Sequence, residues 1–440
     1  MKKVLLIAYY YPPLGGIGSQ RAQKFARYLP DYGWRPIVLT PECGSYYVDP
    51  SLDDGTDRGV EVVRTSALDL SSLVKRALPL DGTSTKQSRG DNEPSVERWS
   101  KLNFLKRAIH TWVYIPDGQI GWYPSAVRSG RKLLQTRDIQ AIYSTSFPVT
   151  AHVIAHRLKR TMNRPWVADF RDLWTQNPCA DYSSKLRKRL DQILELKLLE
   201  NADAIVTVSN TLAEVLGDLT NGRKRIEVIR NGFDSSDFAG IERTALAKWT
   251  ITFVGSFYSF YNPSPFLAAL QRLIERGRVQ KEDVQFIIVG EAHPYMQQLV
   301  VRFGVADMTR FTGFVSHSEA VRYQINSSLL LFVLHGDGAN PGIITGKLYE
   351  YVGSRTPILS IVPRHFEAAR IIQETGAGVT VEAADVAGIE QCLIDSYLAY
   401  KSGVNGTPNE CDLSRYERKY GAQQLANLLT ELTATESGSH

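Results

Sequence analysis

Residues 4–33 read VLLIAYYYPPLGGIGSQRAQKFARYLPDYG, and the order of features in this stretch recurs along the 440-residue chain. An apolar run at Val4–Tyr9 predicts a buried strand that ends in a glycine-rich loop. Apolar residues then recur at helical spacing over Ser19–Tyr32, and Gly33 supplies a helix stop. A strand that enters a helix through a tight loop is the first part of a right-handed βαβ unit.

The same alternation continues through the first half of the chain. Short β-rich runs are separated by helical stretches at Pro148–Arg160 and Ser183–Glu200. These runs are Ile37–Thr40, Val60–Arg64, Ala141–Ser144, Trp166–Phe170, Ala204–Val208 and Ile226–Ile229. Alternating strands and helices predict a parallel sheet, and we assign residues 1–235 to a first Rossmann-like domain.

A second series begins after a charged stretch and predicts another domain over residues 236–410. Its strands are Thr250–Val254, Val284–Val289, Leu329–Leu334 and Pro357–Ile361, and its helices are Pro263–Arg276, Ser318–Asn326 and Thr345–Val352. Ser316 and Glu319 form the Ser-x-x-Glu capping box of a helix start. The predicted fold class is therefore α/β, with two Rossmann-like doubly wound parallel-sheet domains.

Three further segments stand outside these two series. Residues 81–95 are polar and predict a mobile loop. Val96–Tyr114 predicts a basic amphipathic helix, which either packs on the sheet or lies in a membrane interface. Residues 411–432 hold an amphipathic helix at Leu413–Leu432, and residues 433–440 are expected to be a disordered tail.

Composition and charge restrict the class of protein. The chain is 43% hydrophobic and 22% charged, as in soluble globular proteins, and it lacks the run of about 18 apolar residues that spans a membrane. Its four cysteines are scattered, which fits a reducing compartment, so we expect a cytoplasmic protein. Residues 1–240 carry eight more Lys and Arg than Asp and Glu, whereas residues 241–440 carry three fewer. The excess either serves an anionic partner, such as a phosphate-bearing acceptor or an acidic membrane, or is a solvated basic face.

The loop Gly15-Gly16-Ile17-Gly18 follows the first strand. Glycines allow close approach of the backbone, and amides at a helix start attract phosphate, although any strand-to-helix turn can need glycine. The spacing is not G-x-G-x-x-G, and no acidic residue ends the second strand at Thr40. Both features count against a nicotinamide-dependent dehydrogenase.

A second group of residues, Thr345, Lys347 and Glu350, follows the strand Leu329–Leu334. Thr345 opens a helix with free amides, and Lys347 and Glu350 lie three residues apart on one face. A lysine suits a diphosphate and a carboxylate suits two vicinal hydroxyls, while the alternative is an ordinary surface ion pair. In the first series, Asp169-Phe-Arg171-Asp172 ends a strand, and it is either an ion-pair network or part of a site. His152 and His156 are expected to be structural or solvent-facing.

Six stretches carry a resemblance. They are YYPPLGGIGSQR (residues 10–21), STSFP (144–148), VADFRDLW (167–174), IRNGFD (229–234), TFVGS (252–256) and GKLYEY (346–351). In this order they resemble the family-four retaining glycosyltransferases of bacterial surface-polysaccharide and glycoconjugate synthesis. The resemblance implies a GT-B fold, in which the two domains face a central cleft and the C-terminal helix crosses back to the first domain.

The resemblance also implies roles for individual residues. The loop Gly15, Gly16 and Gly18 would contact the donor phosphates across the cleft, and Glu350 would hold the ribose. Phe314 and Val315 would contact the base, and Asn231–Asp234 would lie near the hinge.

Because of two departures from the family pattern, other residues have to neutralise the donor phosphates. Gly342 stands where the family has its first motif glutamate, and Ser256, Phe257 and Tyr258 stand where many members have Arg and Lys. Lys347 and Arg171 are therefore the candidates for neutralising phosphate. The position of the family's catalytic histidine corresponds to Ser146 or Arg171.

Together, these arguments predict a retaining hexosyltransferase that uses a nucleotide-diphosphate sugar and a saccharide or lipid-linked acceptor. We expect no metal or other cofactor, no nucleic-acid partner, and peripheral contact with the inner membrane. The alternatives are a catalytically degenerate nucleotide-sugar-binding protein and another GT-B enzyme, such as an epimerase or an inverting transferase.

The candidate catalytic residues are Arg171, Asp169 and Lys347. The candidate donor-binding residues are Gly15, Gly16, Gly18, Ser256, Phe314, Val315, Thr345, Lys347 and Glu350. The candidate acceptor-binding residues are Tyr10, Tyr11, Arg21 and Ser146.

Overall fold

The computed structural model forms two compact units. It describes residues 1–14, 17–42, 59–68, 114–177, 180, 182, 184–244, 246–255, 261–291, 293–335, 341–342, 344–403 and 411–437. The first unit comprises Met1–Thr207, Ala213–Val228 and Ala422–His440, and the second comprises Val208–Leu212 and Ile229–Gly421. In the part of the chain so described, no helix is long and apolar enough to cross a membrane.

The first unit is built on a parallel sheet of seven strands in the order β3-β2-β1-β4-β5-β6-β7. The strands are β1 (Lys2–Ile7), β2 (Trp34–Pro41), β3 (Glu61–Thr65), β4 (Ala141–Ser146), β5 (Trp166–Phe170), β6 (Ala204–Thr207) and β7 (Ile226–Val228). The helices that follow them in the chain are α1 (Ile17–Tyr28), α2 (Tyr123–Thr136), α3 (Thr150–Met162), α4 (Lys185–Asn201) and α5 (Asn210–Leu219). In register, Val4 pairs with Pro36 on one side and with Ala141 on the other. The central strands are nearly continuous apolar runs because helices cover both faces of a parallel sheet.

The last helix, α12 (Arg418–Ser437), completes the core of the first unit. Its buried apolar side chains are Ala422, Leu425, Ala426, Leu428 and Leu429. The indole of Trp34 donates a hydrogen bond to Thr430 Oγ1 at 3.0 Å, and Lys2 Nζ donates one to Thr433 Oγ1 at 2.9 Å. The helix continues five residues past Leu432, so residues 433–437 differ from the disordered tail that the sequence predicts. Thr433 explains the extension, because its hydroxyl bonds back to Leu429 O within the helix.

The second unit has a parallel sheet of six strands in the order β10-β9-β8-β11-β12-β13. The strands are β8 (Trp249–Val254), β9 (Val284–Val289), β10 (Thr309–Gly313), β11 (Leu329–Val333), β12 (Ile358–Ile361) and β13 (Gly378–Val381). The helices are α6 (Ser264–Glu275), α7 (Pro294–Arg302), α8 (His317–Ile325), α9 (Gly346–Ser354), α10 (Glu367–Thr375) and α11 (Val386–Lys401). The strand order reverses between β8 and β11, which is where open α/β sheets bind ligands at the carboxyl ends of their strands.

The prediction of two doubly wound parallel sheets is confirmed. Ser316 caps α8 as the capping box predicts, because its hydroxyl accepts a hydrogen bond from the Glu319 amide at 3.3 Å. The second unit begins at Ile229 rather than at residue 236, and it also includes Val208–Leu212. The loop at residues 81–95 and nearly all of the helix predicted at Val96–Tyr114 lie outside the described residues.

Candidate functional site

The end of β8 and the helix α9 form a charged site in the second unit. The Val254 amide donates a hydrogen bond to the Tyr351 hydroxyl at 2.7 Å, which fixes α9 beside this strand end. One helical turn earlier on the same face, Lys347 lies against Gly255. A Cβ atom at residue 255 would overlap Lys347 Nζ, and Gly255 has a φ of +113°, so this position requires glycine.

The ammonium group of Lys347 is buried and has no hydrogen-bond partner among the described residues. It lies over the rings of Phe253 and Tyr261, 4.8 Å and 5.1 Å from their centroids. Burial lowers the pKa of Lys347 to about 8, although the carboxylate of Glu350 favours the charged form. A cation held mainly by aromatic faces has unused donors, so it can pair with an anion.

The start of α9 adds to this preference for an anion. Thr345 is the N-cap residue, and its side chain makes no capping bond. Its hydroxyl is buried and is also without a partner among the described residues. A helix N-terminus carries partial positive charge and unsatisfied amides, so Thr345 and Lys347 together favour a negatively charged ligand.

Glu350 is held in place by two side chains of α8. Its two carboxylate oxygens lie 3.2 Å from His317 Nε2 and 3.2 Å from Gln324 Nε2. Burial alone would raise the pKa of Glu350, but the bonds from His317 and Gln324 and the charge of Arg418 lower it. The carboxylate therefore stays ionised, and its remaining lone pairs can accept hydrogen bonds from hydroxyls.

Phe314 and Val315 follow β10 and precede the start of α8. Phe314 is 82% exposed, which is unusual for a phenylalanine, and Val315 is half-buried. An exposed aromatic ring next to polar groups offers a stacking surface for a planar ligand. The second unit thus brings Thr345, Lys347 and Glu350 together on one helix, as the sequence predicts.

In the first unit, Asp169 and Arg21 form a buried ion pair. Arg21 Nε and Nη2 donate to the two carboxylate oxygens of Asp169 at 2.8 Å and 3.0 Å, and both side chains are buried. Tyr143 and Thr145 donate to the same carboxylate at 2.5 Å and 2.8 Å. Burial would raise the pKa of Asp169, but Arg21 and these bonds lower it. The two charges therefore satisfy each other in the core, and the catalytic role of Asp169 and the acceptor contact of Arg21 stay predictions.

Arg171 ties three segments of the first unit together. Its guanidinium donates to the main-chain carbonyls of Ser146, of Phe147 at 3.2 Å and of Gly18 at 2.8 Å. These carbonyls belong to the end of β4 and to the start of α1. Arg171 therefore positions the loops around the carboxyl ends of the strands, a role that the sequence does not predict.

The other predicted residues of the first unit differ in how deeply their side chains are buried. Tyr11 and Ser146 are buried, whereas Tyr10 is half-buried, with its ring 3.3 Å from the place of a Cβ at Gly18. The acceptor contacts of Tyr10, Tyr11 and Ser146 stay predictions. Gly15, Gly16 and Ser256 lie outside the described residues.

The two histidines on α3 lie next to the buried ring of Trp166. His152 is buried, its Nδ1 lies 2.8 Å from Ser144 Oγ, and its ring is 4.4 Å from that of Phe170. Burial lowers the pKa of His152 to about 3, so the ring is neutral at physiological pH. Burial also lowers the pKa of His156, and nearby lysines and arginines lower it further.

Sequence reasoning missed the groups that surround the charges. His317 and Gln324 lie seven residues apart, which places them on one face of α8, and the capping box already marks the start of that helix. Phe253 and Tyr261 flank the lysine. An isolated parallel bridge between Tyr261 and His335 holds Tyr261 there. This bridge joins distant parts of the chain, so no local pattern could have indicated it.

Comparison with known families adds to this geometry. The family model described as Glycosyltransferase Family 4 matches residues 88–237, and the one described as Glycosyl transferases group 1 matches residues 248–397. No curated protein sequence matches the chain.

Solved structures share the fold over nearly the whole chain. A sucrose-phosphate synthase from Thermosynechococcus elongatus matches with a TM-score of 0.64 at 15% identity. The match covers 99% of this chain and 100% of the synthase chain. Anabaena HepE in complex with UDP-glucose has a TM-score of 0.57 at 14% identity, with coverage of 98% and 100%. The apo lipopolysaccharide outer core galactosyltransferase WaaB has a TM-score of 0.53 at 12% identity, with coverage of 97% and 99%.

The two family models and the doubly wound sheets define the class of protein: a glycosyltransferase with the GT-B fold. Within that class, the chain belongs to the family-four-like glycosyltransferases.

Proposed function

We propose that the chain is a retaining transferase that moves a hexose-type sugar from a nucleotide-diphosphate sugar to a saccharide or lipid-linked acceptor. The observation that carries the proposal is the buried ammonium of Lys347, which lacks a partner among the described residues and lies beside Gly255 and the start of α9. A diphosphate supplies the negative charge that this position lacks. The nucleotide-bearing end of the donor would then extend towards α8.

The remaining groups of the second unit suit the rest of such a donor. Glu350, oriented by His317 and Gln324, would accept hydrogen bonds from the two ribose hydroxyls. The exposed ring of Phe314 would lie against the base. The UDP-glucose of the HepE complex makes a UDP-sugar the first donor to test.

Both departures from the family pattern have a physical explanation in this chain. Lys347 Nζ occupies the space beside Gly255, so the cation comes from α9 rather than from the residues after β8. At Gly342, a Cβ atom would overlap the side chain of Leu212. A side chain at residue 342 would therefore require Leu212 to move.

In the proposed reaction, the bond between the anomeric carbon and the donor phosphate oxygen breaks. A bond from that carbon to the acceptor oxygen forms on the same face, and the acceptor proton passes to the departing phosphate oxygen. Lys347 and the amides at the start of α9 stabilise the charge that develops on the diphosphate. This assignment relies on fixed positive charge and positioning, and it requires no general base among the side chains.

We further propose that transfer needs no metal ion. Across the residues that the structure describes, no group of three or more His, Cys, Asp and Glu side chains could hold one. The cation of Lys347 would take that role. Activity in excess EDTA tests this point directly.

The acceptor side is proposed to lie at the strand ends of the first unit, near Tyr10 and the loops that Arg171 holds. The excess of positive charge in residues 1–240 suits a phosphate-bearing, lipid-linked acceptor. A role in polysaccharide or glycoconjugate synthesis at the cytoplasmic face of a membrane follows from such an acceptor.

The test is thermal unfolding of the purified protein with a panel of UDP-, GDP-, dTDP- and ADP-sugars. A donor at 100 times its Kd should stabilise the protein by about 2.7 kcal/mol. Glu350→Ala should lose this shift and sharply lower turnover, whereas Glu282→Ala, an exposed acid before β9, is the control. The anomeric configuration of the product then separates retention from inversion. If Glu350→Ala and Lys347→Met both keep full activity, the site assignment is wrong.

The second candidate is a degenerate protein that binds a nucleotide-sugar without catalysis. Gly342 and the absence of Arg or Lys at residues 256–258 motivate it. Binding of a nucleotide-sugar without transfer or hydrolysis for any donor and acceptor would support this candidate.

A further inference from the structure

The helix α4 has an unusual distribution of polar and apolar residues. Its buried residues include Asp191 and Glu195, while its outward face carries four large aliphatic side chains. These are Leu186 (58% exposed), Leu190 (39%), Ile193 (54%) and Leu196 (38%), which we call the α4 stripe. Their spacing of four, three and three residues places them along one side of the helix. No other helix in the described residues exposes more than two large hydrophobic side chains.

The inward polar contacts prevent α4 from rolling to bury the stripe. Arg187 pairs with Asp191 at 2.9 Å and donates to the carbonyls of Tyr114 and Pro116 at 3.0 Å and 2.8 Å. Glu195 accepts hydrogen bonds from the Thr175 amide and hydroxyl. Rotation of the helix would break these buried bonds, which is more costly than leaving aliphatic carbon in water.

The charges around the stripe are mainly positive. Lys185, Lys188, Arg189 and Lys197 are exposed. Two of the three acids of the helix face inward, and the third, Glu200, pairs with Arg223 at 3.2 Å. The outward side of α4 therefore combines aliphatic side chains with cations.

A cavity adjoins the stripe. It has a volume of about 250 Å³, and its lining includes Ile193, Leu196, Leu199 and Leu219. Its polar lining residues are Thr175, Gln176, Arg189, Gln192 and Glu195, and the Glu195 carboxylate is satisfied by Thr175. The aliphatic side of this recess, beside the exposed cations of α4, suits a lipid with an acyl chain and an anionic head.

We propose that the outward face of α4 binds the surface of an anionic lipid bilayer. An aliphatic stripe flanked by lysine and arginine is the pattern of helices that lie in the plane of a membrane interface. A second copy of this chain fits less well, because it would bring the same cations together. This surface does not include the proposed donor site. Lipid binding can therefore fail while the proposed function holds, and the proposed function can fail while lipid binding holds.

The experiment is flotation of the full chain with two kinds of vesicle, pure phosphatidylcholine and equal parts phosphatidylcholine and phosphatidylglycerol. Wild type should float with the anionic vesicles, remain unbound with the neutral ones, and bind less as salt increases. Leu190→Ser combined with Ile193→Ser should weaken binding at least about tenfold. Lys188→Gln and Arg189→Gln should each weaken it about fivefold.

The matched control is Leu398→Ser, because Leu398 is also 58% exposed but lies on α11 of the second unit. It should leave vesicle binding unchanged, and circular dichroism should show that every variant is folded. Absence of wild-type flotation with anionic vesicles would overturn the proposal. So would a dimer in sedimentation velocity that Ile193→Ser converts to a monomer, because a second copy would then cover the stripe.

Discussion

Lys347 lies in an environment that departs from the ordinary preference of a lysine. A lysine ammonium usually reaches water, but here it is buried against Gly255 between two aromatic rings. Its partners among the described residues are ring faces, which compensate a buried charge only in part. A protein retains such a cost where the charge serves a ligand, which is the common trade between stability and function.

Replacement of this lysine should stabilise the free protein and abolish its response to donor. Lys347→Met keeps the aliphatic length and removes the charge, so the melting temperature without ligand should rise by about 2–4 °C. The shift produced by a nucleotide-sugar should disappear. Differential scanning fluorimetry measures both, with the exposed Lys281→Met as the control. A lower melting temperature together with a retained donor shift would contradict the proposed site.

The pKa of Lys347 also predicts a pH dependence. Because burial lowers this pKa to about 8, the ammonium loses its proton as the pH rises through that value. We expect kcat/KM for the donor to fall above pH 8, approaching about tenfold per pH unit. Lys347→Arg, if active, should give a flat profile to about pH 10, because arginine stays protonated. A wild-type profile that is flat to pH 9.5 would show that the ammonium does not act on the donor.

At the scale of elements, the first unit depends on a buried ion pair. Arg21 on α1 and Asp169 on β5 are 148 positions apart and join a helix to the middle of the sheet. Tyr143 on β4 donates to the same carboxylate, so three elements meet at one charge. Arg171 holds the loops together in a similar way, but its guanidinium donates hydrogen bonds to main-chain carbonyls instead of to a carboxylate.

Loss of one member of this pair should cost much more than loss of a surface pair. Asp169→Asn leaves the Arg21 guanidinium buried without a counter-charge, and we expect the free energy of unfolding of the first unit to fall by about 3–5 kcal/mol. Glu200→Gln, which breaks the exposed pair with Arg223, should change it by less than about 1 kcal/mol. Urea denaturation compares the two. Equal effects would mean that Arg21 finds another partner.

At the scale of the whole molecule, each sheet has two ends, and only one of them is expected to hold a ligand. In the second unit, Lys347, Thr345 and Phe314 lie beyond the carboxyl ends of the strands. A cavity of about 180 Å³ lies at the opposite end, lined by residues at the starts of β11 and β12 such as Leu329 and Ile358. Ligands of open α/β sheets bind at the carboxyl ends, next to the reversal of strand order.

Hydrogen exchange with UDP distinguishes these two ends. We expect slower amide exchange at residues 309–319 and 344–352, because the nucleotide covers the starts of α8 and α9. Residues 325–329, beside the opposite cavity, should exchange at an unchanged rate. Protection of residues 325–329 alone would move the nucleotide to the wrong end of the sheet for the proposed reaction.

The fold could be predicted from local patterns because parallel strands and their crossover helices are encoded within short stretches. The β5 and β9 boundaries agree with the predicted Trp166–Phe170 and Val284–Val289, since apolar runs bounded by turns mark buried strands clearly. Part of the site follows in the same way. Thr345, Lys347 and Glu350 share one helix, where a regular backbone brings residues three and four apart together.

The sequence alone could not predict which groups surround each charged side chain. Asp169 and Arg171 stand two residues apart at one strand end, yet Asp169 pairs with Arg21 in the core and Arg171 binds loop carbonyls. Lys347 meets Gly255 from 92 positions away, and α4 turns its acids inward to partners elsewhere in the chain. Backbone periodicity is a local property and can be read along the sequence. Desolvation and pairing of charge depend on neighbours that only tertiary packing brings together, so the structure decided which charges are paired within the protein.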